Sequence, residues 1–334
     1  MLSLTAQKAI GSSQEQGAIR VDHKLTSPLD RLPDTFTYPE RLYRDNPAEV
    51  LEEVKKTILL IFGQFSFNQL EQVFGDILRL FDGKYPGYRR CNTRYHDLSH
   101  TLDCLHATAR LIHGAAVNGL RFTPGDVNLG LISALMHDTG YIQTQEDYTG
   151  TGAKYTLGHI QRSIDFMTKY FQDHGFPSEY LPVCRAFLRC TGLDVKIAGI
   201  KFRSREHEIL GKILGTADLV GQMAQENYLE KLAFLYNEFK EGGVPGYVDA
   251  LDLLKKTPGF WDMVQERMAV ELGRVDLYLR DHFRVSRGID QDLYRKAIER
   301  NVEHVKFIKK NLEANCVVYR REEDQGGMAV SSPI

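Results

Sequence analysis

The chain is short of cysteine and carries no excess of positive charge. Its five cysteines, Cys91, Cys104, Cys184, Cys190 and Cys316, stand apart without a C-x-x-C pair. An odd number scattered over 334 residues gives no disulfide framework, so a reducing compartment is the better match. Lys and Arg number 42 against 44 Asp and Glu, a formal charge of -2 at pH 7. That balance lacks the basic field that neutralises a nucleic-acid backbone or holds a protein on an anionic membrane, so neither partner is expected. Any phosphate recognition has to be local. No apolar run approaches the length that spans a bilayer. Residues 1–17 carry Gln7, Ser12, Ser13, Gln14 and Glu15 where a secretory leader would have an apolar core. A cytoplasmic protein is the expectation.

Strand alternation is nearly absent, and no segment repeats at a fixed period, which excludes a solenoid. What is present is helical period. Leu70, Val73, Phe74, Ile77 and Leu80 make one stripe, and Leu98, Leu102, Leu105, Ala109 and Ile112 another. Further helices are predicted over 128–138, 157–172, 179–190, 204–223, 227–240, 259–282 and 290–312, between Gly- and Pro-bearing breaks. Residues 195–202 alternate enough for a short hairpin arm. With 43% hydrophobic residues the chain can bury a large core. The expected architecture is a single all-α domain over 46–315. An extended or loosely docked arm at 1–45 precedes it and a flexible tail at 316–334 follows. Whether the late helices make a homodimer stays open.

Four short segments carry chemistry: Tyr95-His96-Asp97-Leu98-Ser99-His100-Thr101-Leu102-Asp103, Met136-His137-Asp138-Thr139-Gly140, Gly158-His159 and Thr216-Ala217-Asp218. On one continuous helix His96, His100 and Asp103 would fall at i, i+4 and i+7 and share a face. His137 and Asp138 end an apolar helix before Gly140, whose missing Cβ suits a left-handed stop. Asp218 lies among Ile209, Ile213, Leu214 and Leu219, where a bare carboxylate is costly unless paired or metal-bound. Two imidazoles and two carboxylates form a mixed N/O set suited to Mn, Fe, Co, Ni or Zn, with Mg also accommodated. The isolated His106, His113, His174, His207, His282 and His304 are read as core or surface residues.

The order His, then His-Asp, then Asp on successive helices resembles the HD superfamily of metal-dependent phosphohydrolases, over roughly 94–223. The first segment also resembles the Y-H-N-x-x-H-A-x-D-V motif of class I cyclic-nucleotide phosphodiesterases, with Tyr95, His96, His100 and Asp103 in matching places and Asp97, Thr101 and Cys104 as departures. The resemblance implies an HD-domain bundle with additional C-terminal helices. It implies one divalent cation on His100, His137, Asp138 and Asp218, with His96 as the acid that protonates the leaving oxygen and Asp103 orienting an imidazole. The phosphodiesterases read H-D-x-x-H, whereas Tyr141 stands here in the last place. A second ion, held by His159 and Cys190, is left open.

The activity so implied is hydrolysis of a small-molecule phosphoester, a nucleotide or cyclic nucleotide first, by metal-activated water. A catalytically silent module that binds nucleotide or metal as a sensor is the alternative, and a partner-binding scaffold ranks behind both. Residues 148–158 read as a lid, with Lys154 a candidate for substrate phosphate. Lys201, Arg203 and Arg205 form a second basic cluster of interest.

Overall fold

Capping residues write the helix starts. Asn46 accepts from Ala48 N and Pro47 opens α1 (Pro47–Phe62). After α2 (Asn68–Phe81), Asp97 caps α3 (Leu98–Val117) by accepting from His100 N at 3.0 Å. Thr123 and Asp126 form a reciprocal box around Pro124 at the head of α4 (Pro124–Met136). Then come α5 (His159–Asp173), α6 (Tyr180–Arg189), α7 (Arg205–Met223, capped by Ser204), α8 (Tyr228–Glu241), α9 (Ala250–Val270), α10 (Tyr278–Arg287) and α11 (Leu293–Gln325). This computed structural model describes residues 46–325, with side chains up to Leu312. The expected arm at 1–45 lies outside the described residues, as do 326–334. Among the described residues the chain is all-α, with a single isolated bridge between Tyr88 and Thr144 and no strand.

α3 is the axis of the bundle. Every residue from His100 to Ala115 is buried, and α1, α4, α7 and α10 pack around it. A helix buried on all sides, with its few polar side chains such as Asp103 and Arg110 paired, is stable only inside such a ring. α10 comes so close that a Cβ on Gly114 would lie 1.8 Å from the Tyr278 carbonyl oxygen. α7 runs along another side of α3, which places Asp218 opposite His100.

Three expectations need correction. The helix predicted over 259–282 is two. α9 starts earlier, at Ala250 behind the Asp249 cap, and runs through Pro258. Burial of Leu253, Thr257, Trp261, Val264 and Met268 along one face outweighs the hydrogen bond that Pro258 cannot donate. The true break is at Gly273 and Arg274, both left-handed, with φ of 64° and 58°. The hairpin at 195–202 is instead a 3₁₀ turn at Ile197–Gly199. There the Arg267 guanidinium takes the carbonyls of Cys190, Gly192, Leu193 and Val195, doing for this backbone what a partner strand would have done. The last helix continues to Gln325, past the boundary expected after 315. None of the described helices is long and apolar enough to cross a membrane, and the four described cysteines are free.

Candidate metal centre

Four elements deliver the centre. His100 sits in the first turn of α3, His137 caps the C-terminus of α4, Asp138 follows it, and Asp218 projects from α7. The imidazole Nε2 atoms of His100 and His137 are 3.2 Å apart. Asp138 Oδ2 lies 3.1 Å and 3.3 Å from them, and Asp218 Oδ1 3.0 Å and 3.6 Å. His100, His137 and Asp138 form the tightest set, with ligand atoms all within 4.8 Å of one another, and all three are buried.

These separations match the ligand–ligand edges around a small cation. Bonds of about 2.0–2.2 Å at tetrahedral or octahedral angles give edges of roughly 3.0–3.5 Å. The two Nε2 atoms are within hydrogen-bond range of each other, yet the buried Asp138 Oδ2 beside them accepts no hydrogen bond. His137 Nδ1 is 2.8 Å from the Ala134 carbonyl oxygen, so Nδ1–H donates there and the Nε2 lone pair faces the cluster. The residues present therefore fit a divalent cation.

The electrostatics follow from the same packing. Burial opposes charge on the His100 ring, but Asp138 and Asp218 outweigh it and raise its pKa to about 9. His137 is likewise raised well above the ordinary imidazole value, against burial, chiefly by Asp138. Both carboxylates, resisting burial through the two imidazoles, stay well below the usual range. This corner of the core is built to hold positive charge.

Gly140 acts differently from its predicted role. It lies in the 3₁₀ turn Thr139–Tyr141 and is not left-handed. A Cβ there would fall 2.0 Å from the His159 carbonyl oxygen, so its absence lets α5 abut the centre. His159 consequently reaches Asp138 from the far side, Nε2 to Oδ1 at 3.7 Å, while its Nδ1–H donates to Thr156 O at 2.6 Å. Burial lowers the His159 pKa, which favours the neutral ring. Cys190 does not join it; the buried thiol donates to Ala186 O.

His96 is not on the helix with His100. It precedes the Asp97 cap, so the shared face expected for His96, His100 and Asp103 does not exist. His96 is instead held by Glu238 of α8, whose Oε2 lies 2.7 Å from Nδ1 and whose Oε1 accepts from Arg94 N and Tyr95 N. Against its burial these donors keep the Glu238 carboxyl below its usual range. Tyr141 stacks between His96 (4.3 Å, 11°) and His159 (4.8 Å, 20°). Sequence reading missed Glu238 and treated Tyr141 only as a lost histidine. No local signal marked Glu238: it lies to one side of the α8 stripe of Tyr228, Leu232, Leu235 and Phe239, on a flank shared with Lys231, where an acid is ordinary.

Asp103 orients no imidazole. Its carboxylate accepts from Gln225, and burial raises its pKa to about 7. His100 Nδ1 is buried without a hydrogen-bond partner. Lys154 does not face the site either: its ammonium is tied to Asp147 and to Thr149, at 2.6 Å from the carbonyl and 2.9 Å from the hydroxyl. The Lys201, Arg203 and Arg205 cluster stays outside the cavity lining.

A cavity of about 340 Å³ opens from Asp138, His159 and Asp218, with His96 in its wall, toward α8 and α9. Gln222 lines it, accepting from Tyr95 Oη at 2.6 Å and donating one N–H to Asp218 O at 3.1 Å.

Comparison with curated proteins finds no match to this chain. Residues 148–277 are similar to the Npun_R2479-like family, a description that specifies no activity. The matched stretch is well under half of the chain. It includes His159, Asp218, Glu238 and the α8–α9 side of the cavity, and leaves out His96, His100, His137 and Asp138.

Proposed function

We propose that this chain is a metal-dependent hydrolase of a small-molecule phosphoester, in keeping with its resemblance to the HD superfamily. One observation carries the reading: two buried imidazole Nε2 atoms converge with the orphaned Asp138 Oδ2 at the foot of a cavity whose wall holds a carboxylate-anchored histidine. His100, His137, Asp138 and Asp218 would hold Mn, Fe, Co, Ni, Zn or Mg. Such a cation supplies charge neutralisation on phosphoryl oxygens and lowers the pKa of water.

The chain's own groups supply the rest. Glu238 fixes the His96 Nδ1–H, so Nε2 is the ring atom left for the cavity, and Tyr141 packs on the ring face and prevents it swinging away. Water adds to phosphorus, the bond from phosphorus to the leaving oxygen breaks, and His96, carrying a second proton on Nε2 that the Glu238 carboxylate balances, donates it to that oxygen, a step typically worth about 10²- to 10⁴-fold. Asp138 or Asp218 takes the proton of the attacking water. A nucleotide or cyclic nucleotide is the substrate class that the first motif brings with it, and a cytoplasmic site of action suits the free thiols.

The test is metal analysis of the purified protein beside His137→Ala/Asp138→Ala, with a phosphomonoester and phosphodiester screen in Mn, Mg, Co and Ni. Stoichiometric metal lost in the variant, with metal-dependent turnover, is the expected result. Metal without turnover would replace the enzyme reading with a binding module, and no metal in either protein would sink both.

A further inference from the structure

The far half of the cavity is apolar. Leu232, Leu235 and Phe239 from α8, Val244 after it, and Leu253 and Phe260 from α9 line it. Its single cation is Lys256, whose ammonium is already bound to Asp252 at 2.8 Å and to the Gly246 carbonyl at 2.7 Å. No arginine is among the lining residues, and the acid that lines the cavity outside the metal centre is Asp194. A chain of phosphates extending beyond the centre would meet Asp194 and no free cation. A nucleobase would find few groups to read it, because the Gln222 amide already accepts from Tyr95 Oη and gives one of its two N–H to Asp218 O, and the Thr191 and Thr257 hydroxyls spend their protons on Leu188 O and Leu253 O. Apolar walls with satisfied polar groups favour a ligand body that asks for no hydrogen bonds.

We propose that the substrate is an ester with a single phosphate joined to an aliphatic body, the phosphate at the His100–His137–Asp138 corner and the aliphatic part between α8 and α9. This rests on the phosphohydrolase reading and narrows its substrate class away from nucleotides.

The full chain, metal-free and Mn-loaded, is titrated calorimetrically with methyl-, butyl- and octylphosphonate, which resist hydrolysis, and with ATP and AMP. Affinity is expected to rise about three- to fourfold per added methylene until the chamber is filled, so that octylphosphonate binds at least tenfold more tightly than methylphosphonate. Val244→Asp and Leu235→Asn should each remove most of that gain while metal content and methylphosphonate binding stay unchanged. Equal affinities along the series, or AMP or ATP binding more tightly than octylphosphonate, would overturn the proposal. A chain-length gain in a protein that hydrolyses no phosphoester would uphold the aliphatic chamber and overturn the hydrolase reading, so the two failures are told apart.

Discussion

α3 carries one member of each of two buried histidine pairs, and the pairs behave in opposite ways. His100 in its first turn meets His137, Nε2 to Nε2 at 3.2 Å. His113 near its end meets His282 of α10, Nδ1 to Nδ1 also at 3.2 Å. Geometry within the pairs is nearly the same. The first faces Asp138 and Asp218, and the His100 pKa rises to about 9. The second lies beside Arg110 instead; burial, then Arg110 and His113, push His282 down to about 2. Burial lowers the His113 pKa as well. Two imidazoles in contact are thus not by themselves a metal signature. Carboxylates that would offset a cation's charge distinguish the centre from a neutral core pair.

The sharpest way to break this contrast is to remove the carboxylates. Asp138→Asn/Asp218→Asn should give the first pair the surroundings of the second and weaken metal affinity by more than about a hundredfold, the upper end of effects seen for groups that only support ligands. Metal titration by calorimetry reads this, and unchanged affinity would refute the centre. His282→Gln should leave metal content untouched.

His96→Ala should lower kcat by roughly 10²- to 10⁴-fold with metal retained, and Glu238→Gln by less, with a displaced pH profile of kcat. Loss of metal in either variant would mean that His96 supports the centre instead of serving the reaction.

The second pair predicts an acid sensitivity. Because the folded-state pKa of His282 lies below the ordinary 6.5, the unfolded chain binds the extra proton, so this contribution is full above pH 6.5 and is lost as pH falls toward 2. Between pH 7 and 5 it amounts to about 2 kcal/mol, and urea unfolding of His282→Gln should show a shallower decline by about that amount. A slope identical to that of the unaltered protein would show that His282 is not held neutral.

The smallest effect is expected at Lys154. Its links to Asp147 and Thr149 are local to the loop, so Lys154→Ala should cost no more than about 1 kcal/mol of stability and leave KM within about twofold. A large rise in KM would restore the role in phosphate binding that its place in the 148–158 lid suggested.

The all-α class and the residues of the buried His/Asp cluster were legible because both are written in local signals. Helical period marks buried faces whatever they pack against, and polar residues such as His137, Asp138 and Asp218 stand out against the apolar stripes that carry them. The centre's support was not legible, because its partners are far apart in sequence: Glu238 anchors His96 across 142 residues and Gln225 takes Asp103 across 122. Local reading also misplaced His96, since one capping bond from His100 N to Asp97 starts the helix after it. Pro258-Gly259 looked like a break, but a buried face carries α9 straight through it. By itself the sequence determined the all-α class and picked out the imidazoles and carboxylates that come together in the core. The tertiary structure alone decided which histidine pair meets carboxylates, because an imidazole's charge depends on what burial places beside it, and no local pattern encodes that neighbour.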